Sequence, residues 1–218
     1  MRRKWEAELN SFPQCSTDVQ DDDGKTYTDR FLSLFSKKPS AIPIVFLHGW
    51  PGSVVDFLPM LRHVRARYAS PVELPYHVIV PHLIGFGYSS PPPLDKDFAV
   101  QDNAGLVPEM MHLLGFTAER GGCIVQGGDP GGAVAPSTAA LNPACRLVHV
   151  NMVIILPPDG IDVEADIAKG PYTKDEVESL QRSAEFGVSG VAYAQLQGTK
   201  PATAGLAVGN SPVSLLAW

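Results

Sequence analysis

Three cysteines among 218 residues, Cys15, Cys123 and Cys145, are too few for a disulfide framework, and they lack the spacing of a zinc site. They point to a reducing compartment, with the cytoplasm as the expected location. Charge of one sign is equally scarce: 17 Lys+Arg against 23 Asp+Glu leave a net −6, with no long block of either. Such a balance offers neither a basic groove for nucleic acid nor a polybasic face for an anionic membrane. No apolar run approaches the ~18 residues of a transmembrane helix. The basic start MRRKWEAELN leads into mixed polar residues instead of the apolar stretch of a signal peptide. Glycine and proline, by contrast, are plentiful at twenty each, and they cluster as punctuation between apolar runs. With 44% hydrophobic and 18% charged residues, this is the composition of a soluble, loop-rich α/β protein of one domain, or of one domain and part of a second.

Residues 1–40 read as a polar, turn-rich lead-in with at most short strands around Tyr27 and Phe31–Phe35. The texture changes at Ala41. IPIVFL (42–47) is a short apolar run that breaks at HGWPG (48–52), as a buried strand does on entering a tight loop. Residues 53–67 then set Val54, Phe57, Leu58, Leu61 and Val64 on one helical face, with Arg62, Arg65 and Arg67 towards the end where the helix dipole favours cations. YHVIVPHL (76–83) predicts a second buried strand, 101–114 a helix, GGCIVQGGDPGG (121–132) a strand, sharp turn and helix start, and LVHVNMVII (147–155) a third long apolar run. Strands and helices alternating in this way predict a mostly parallel sheet with helices on both faces. Beyond PPDG (157–160) the pattern becomes helical, with Thr173 as the cap of TKDEVESLQR (173–182). The expected division is a lead-in segment at 1–40, an α/β core at 41–157 and a separate helical unit at 158–218.

Ligands of an open parallel sheet bind beyond the carboxyl ends of its strands, so loops 48–52, 85–93, 127–132 and 156–160 should converge. Among them, Gly127-Gly128-Asp129-Pro130-Gly131 has the glycine spacing of a nucleophile elbow, with Asp in the place of an esterase serine. A carboxylate there attacks carbon and forms an ester, chemistry suited to opening an epoxide or displacing a halide. The plain alternative is a glycine turn in which Asp129 merely caps the next helix. HGWPG adds a backbone loop able to donate N–H groups to an oxyanion. Taken singly, His48 and Trp50 remain open to a packing role.

FLHGWPGS (46–53), GFGYSS (85–90), GGDPGG (127–132) and QGTKPAT (197–203) together resemble the microsomal-type epoxide hydrolases of the α/β-hydrolase fold, their fungal members in particular. NSFPQ (10–14), residues 34–53 and NSPVSLLAW (210–218) extend the resemblance nearly end to end, including that family's N-terminal segment. The resemblance makes 1–40 a partial N-terminal segment, 41–157 the core and 158–218 a partial helical cap. The resemblance implies opening of an epoxide by water to a vicinal diol through an aspartyl ester, with an epoxide and water as partners and neither cofactor nor metal. Asp129 matches the nucleophile. Tyr193 matches the first of two cap tyrosines that hydrogen-bond the departing oxygen, although a helix-face aromatic is an equal reading of it. Trp50 matches the residue whose backbone N–H stabilises the tetrahedral intermediate.

Three departures qualify that expectation. Pro130 follows the nucleophile where the family has a residue with an N–H, so one oxyanion donor is missing. The second cap tyrosine is absent, and no histidine occurs beyond His149, so the catalytic acid and histidine that follow the cap in this family have no counterpart. His149 reads as a core or edge residue in mid-strand, His63, His77, His82 and His112 as surface or loop-end residues, and Asp159 as an acid with no histidine to orient. A member shortened at both ends, lacking its C-terminal core strands, is therefore expected, with doubtful turnover. The rival reading is a catalytically inactive homologue acting as a binding or accessory protein. A serine esterase is disfavoured because no G-x-S-x-G occurs, and a haloalkane dehalogenase because the TKP, SPVSLLAW and N-terminal segments favour the epoxide reading.

Overall fold

The computed structural model describes residues 2–153, 160 and 162–218. They fall into two compact units, Met1–Ile155 and Leu156–Trp218. In chain order the first unit comprises helix α1 (Arg2–Leu9), strands β1 (Gln14–Gln20), β2 (Thr26–Leu34) and β3 (Ile42–Leu47), and a 3₁₀ turn (Val54–Phe57) that runs into α2 (Leu58–Arg67). After these come β4 (Tyr76–His82), α3 (Asn103–Leu113), β5 (Cys123–Gly127), α4 (Pro130–Leu141) and β6 (Cys145–Val150).

One six-stranded sheet results, in the order β1-β2-β4-β3-β5-β6. Strands β4, β3, β5 and β6 are mutually parallel, as the alternating pattern predicts, while β1 and β2 add antiparallel to the β4 side. The sheet is thus mixed, with a parallel part that carries an antiparallel flank.

That flank is larger than the short strands expected in residues 1–40. Strand β1 (QCSTDVQ) hides its nature because only one of its faces is covered: Val19 is fully buried while the residues on either side of it are polar and exposed. Strand β2 sends Tyr27 and Phe31 to one side of the sheet and Leu32 to the other. On the first side these pack with Val45, Leu47 and Ile79 beneath Val107, Met110 and Met111 of α3 and Val134 of α4. On the second, Leu32, Val78 and Val80 lie under Leu58 and Leu61 of α2, joined by Phe12. Each fully buried aliphatic side chain contributes about 1.5–3 kcal/mol, so both layers clamp the β3 and β5 ends that carry the functional loops.

The second unit is helical: α5 (Val163–Lys169), α6 (Lys174–Glu185), a π-helical turn (Phe186–Gly190), α7 (Ala192–Thr199), α8 (Pro201–Gly209) and α9 (Pro212–Ala217). Thr173 caps α6 as expected. Its hydroxyl accepts the Glu176 N–H at 3.3 Å, and the Glu176 carboxylate accepts the Thr173 N–H at 2.7 Å. Among the described residues no helix is long and apolar enough to cross a membrane.

Candidate active site

Strand β5 ends at Gly127, and α4 begins at Pro130 with Asp129 between, at φ 55 and ψ −130. Among the described residues Asp129 is the only non-glycine with positive φ. Holding an L-residue there costs about 1–3 kcal/mol and persists only where the surroundings enforce it. Close packing does the enforcing: a Cβ on Gly131 would lie 2.5 Å from the Leu47 carbonyl, so the first turn of α4 rests directly on the end of β3. The bend throws the Asp129 side chain clear of its own helix. It stands at the N-cap position yet makes no capping hydrogen bond, which removes the plain alternative of a helix cap.

The carboxylate is held from elsewhere. The backbone N–H of Trp50 donates to Asp129 Oδ1 at 2.7 Å, across 79 positions of sequence. The approach is so close that a Cβ on Gly49 would sit 2.6 Å from the same oxygen, which makes glycine obligatory there. His48 shapes this loop. Its Nε2 accepts the Leu83 N–H at 3.1 Å, so the proton resides on Nδ1, which donates to the Gly49 carbonyl at 3.0 Å. Burial pushes its pKa below the usual histidine range, keeping the ring neutral, and Phe86 packs edge-on against it. His48 is therefore a structural brace for the Trp50 loop. The Trp50–Pro51 peptide is cis, and the Trp50 side chain is exposed.

These groups line an open cleft of about 860 Å³. The exposed Asp129 carboxylate forms part of its wall, and Trp50, Phe57 and Met152 supply its apolar surface. Asp56 and Asn151 also line it, and neither was singled out from sequence. The Ser53-x-x-Asp56 pattern was a legible signal, since Asp56 accepts the Ser53 N–H at 3.2 Å as the reciprocal half of a capping box. Asn151 follows β6 immediately and its side chain fills the space over Gly128, a contact that no local pattern announces.

Of the four loops expected to converge, 48–52 and 127–132 do so. Loop 85–93 does not line this cleft; it supports it from behind through Phe86 on His48. Residues 154–159, including Asp159, lie outside the described residues. Asp129 and Trp50 meet within the first unit, whereas Tyr193 stands in the first turn of α7 in the second, its side chain 47% exposed. His149 is exposed on the edge strand β6, and His82, expected at a surface or loop end, is buried at the end of β4. Among the described lining residues the only imidazole is that of His48, and both its nitrogens are engaged. Pro130 contributes no N–H, and among the described residues Trp50 is the sole hydrogen-bond donor to the Asp129 carboxylate. The arrangement offers a nucleophilic carboxylate with one oxygen prepolarised, beside an apolar wall.

Comparison with known proteins bears on the family and the fold. The family model "Epoxide hydrolase N terminus" matches residues 2–57, and "alpha/beta hydrolase fold" matches residues 42–209. A putative epoxide hydrolase of Dothistroma septosporum is 38% identical over 216 residues, which cover 99% of this chain and 49% of the relative. One of Stigmatella aurantiaca is 34% identical over 99% of this chain and 46% of its own length. Among solved structures, the Aspergillus niger epoxide hydrolase superposes with a TM-score of 0.80 at 42% identity, over 99% of this chain and 52% of that one. The juvenile hormone epoxide hydrolase of the silkworm Bombyx mori does so with a TM-score of 0.77 at 27% identity, over 99% and 50%. The chain spans about half the length of the curated relatives it matches.

Proposed function

The chain belongs to the epoxide hydrolase branch of the α/β-hydrolase fold, and from that premise we propose that Asp129 opens an epoxide by forming a covalent ester. One carboxylate oxygen attacks a ring carbon, a carbon–oxygen bond forms as the ring carbon–oxygen bond breaks, and the departing alkoxide is protonated, the part that the resemblance to the family assigns to the Tyr193 hydroxyl. The observation that carries the reading is the 2.7 Å hydrogen bond from the Trp50 N–H to Asp129 Oδ1. It leaves the other oxygen free to attack and places a donor on the atom that becomes the ester carbonyl.

Water must then add to that carbonyl and release the diol. The oxyanion so formed meets one backbone donor, Trp50, where Pro130 withholds a second. Loss of one such donor costs about 3 kcal/mol, or roughly a hundredfold in rate. Among the described lining residues the one imidazole, His48, is engaged at both nitrogens, so the ester is expected to form faster than it is hydrolysed. An epoxide with an apolar substituent suits the Trp50, Phe57 and Met152 wall.

The test is intact-mass measurement after incubation with styrene oxide. A single adduct that maps to Asp129 and vanishes in Asp129→Asn is expected. Diol release without a detectable adduct would show a complete hydrolytic half-reaction. Neither adduct nor diol would favour the rival role as an inactive binding or accessory homologue, a role to which the Pro130 substitution lends its weight.

A further inference from the structure

A second cavity, of about 700 Å³, lies on the first unit and shares no lining residue with the Asp129 cleft. Its walls are Trp5, Glu6, Leu9 and Asn10 from α1 and its end, Gln14 of β1, Arg30 of β2, Val55 and Tyr88. The volume lies in the range of small-molecule sites, and two large aromatic side chains remain exposed in it, Trp5 at 48% and Tyr88 at 62%. The frame around them is held in place. Gln14 Nε2 donates to Asn10 Oδ1 at 3.0 Å, closing the α1–β1 turn. The Ser89 hydroxyl accepts the Arg30 N–H at 2.8 Å and donates to the His82 carbonyl at 2.6 Å, tying the Tyr88 loop to β2 and β4.

Arg30 and His82 are direct partners across β2 and β4, so their side chains leave the same face of the sheet. The His82 ring meets Tyr88 edge-on at 5.3 Å between centroids. It is buried, and among the described residues its Nδ1 has no hydrogen-bond partner. Burial, helped by the neighbouring His48, lowers its pKa to about 4, so the imidazole is neutral and the cavity's positive charge is that of Arg30. None of the ion pairs among the described residues includes Arg30. An unpaired guanidinium in a cavity that also exposes two aromatic rings has an unused planar fork of donors matched to a carboxylate, beside a surface ready to take an apolar body.

We infer that this cavity binds a small aromatic monocarboxylate, with its carboxylate on Arg30 and its ring between Trp5 and Tyr88. The site is independent of the reaction at Asp129. Glu6, also in the lining, sets the contrast: it would favour a cationic ligand, whereas Arg30, whose backbone is fixed on a sheet strand, favours the anion.

Calorimetric titration of the full chain with 2-naphthoate, naphthalene-2-methanol and 2-naphthylmethylammonium tests this. The carboxylate should bind at least about tenfold more tightly than either isostere, as a charged hydrogen-bonded contact implies. Arg30→Gln should erase that advantage, Arg30→Lys should recover part of it, and Trp5→Phe should remove naphthoate quenching of tryptophan fluorescence while the fold, followed by circular dichroism, is unchanged. Equal affinity for the three probes, tighter binding of the ammonium compound, or naphthoate binding unaltered in Arg30→Gln would overturn the inference.

Discussion

Replacing Asp29 by asparagine removes the only buried carboxylate among the described residues of this protein. Asp29 is 3% exposed, in the middle of β2, and its side chain has one hydrogen-bond partner, the Ser89 hydroxyl at 3.3 Å. Burial raises its pKa from 3.8 to about 7, with the Ser89 hydrogen bond acting in the opposite direction. A folded-state pKa above the unfolded one means that the folded protein holds its proton more tightly. The favourable contribution is therefore complete below pH 3.8 and is lost as the pH rises through about 7. The gap corresponds to about 4 kcal/mol, a large part of the stability of an ordinary domain. Asparagine has nearly the size of the protonated acid and can keep a hydrogen bond to Ser89, but it has no charge to desolvate. Urea unfolding of the two proteins at a series of pH values should give equal stabilities near pH 4. Towards pH 8 the variant should gain an advantage approaching about 4 kcal/mol. A stability difference that does not change with pH, or one that favours the parent protein at pH 8, would refute the argument.

Pro130→Ala supplies a backbone N–H at the first position of α4, where a helix leaves that donor unused. It should shorten the lifetime of the Asp129 ester by about a hundredfold, followed by mass spectrometry, with little change in melting temperature. Gly49→Ala drives a Cβ into the Asp129 carboxylate; it should abolish adduct formation with styrene oxide and destabilise the fold by about 1–3 kcal/mol, measured by urea unfolding. His48→Phe leaves the Leu83 N–H buried and without its acceptor, at a cost of about 1–3 kcal/mol in the same assay, and the displaced Trp50 loop should slow ester formation.

Local features of this chain were legible where one short segment carries its own instruction. The apolar runs that became β3, β4 and β5, the Thr173 cap and the glycine-framed Asp129 all follow from backbone preference and periodicity within a few residues. Strand β1 was hidden because its sequence is polar on every residue but Cys15 and Val19, and burial of a single face leaves only a faint period of two. His82 read as a surface or loop-end residue because the polarity of a side chain says nothing of what covers it. Loop 85–93 has the glycine and serine texture of a site loop, and in the fold that texture serves to bind the Tyr88 segment to β2 and β4.

The amino-acid order alone established that a strained turn would present Asp129 and that a glycine-rich loop would follow the strand ending at Leu47, because tight turns are written in the residues that make them. Only the tertiary structure decided that these two segments meet, 79 residues apart, with the Trp50 N–H on the Asp129 carboxylate and His48 spent as a brace. That meeting depends on β3 and β5 lying side by side in the sheet. Strand order is set by the collective burial of both sheet faces, a property that no single segment contains.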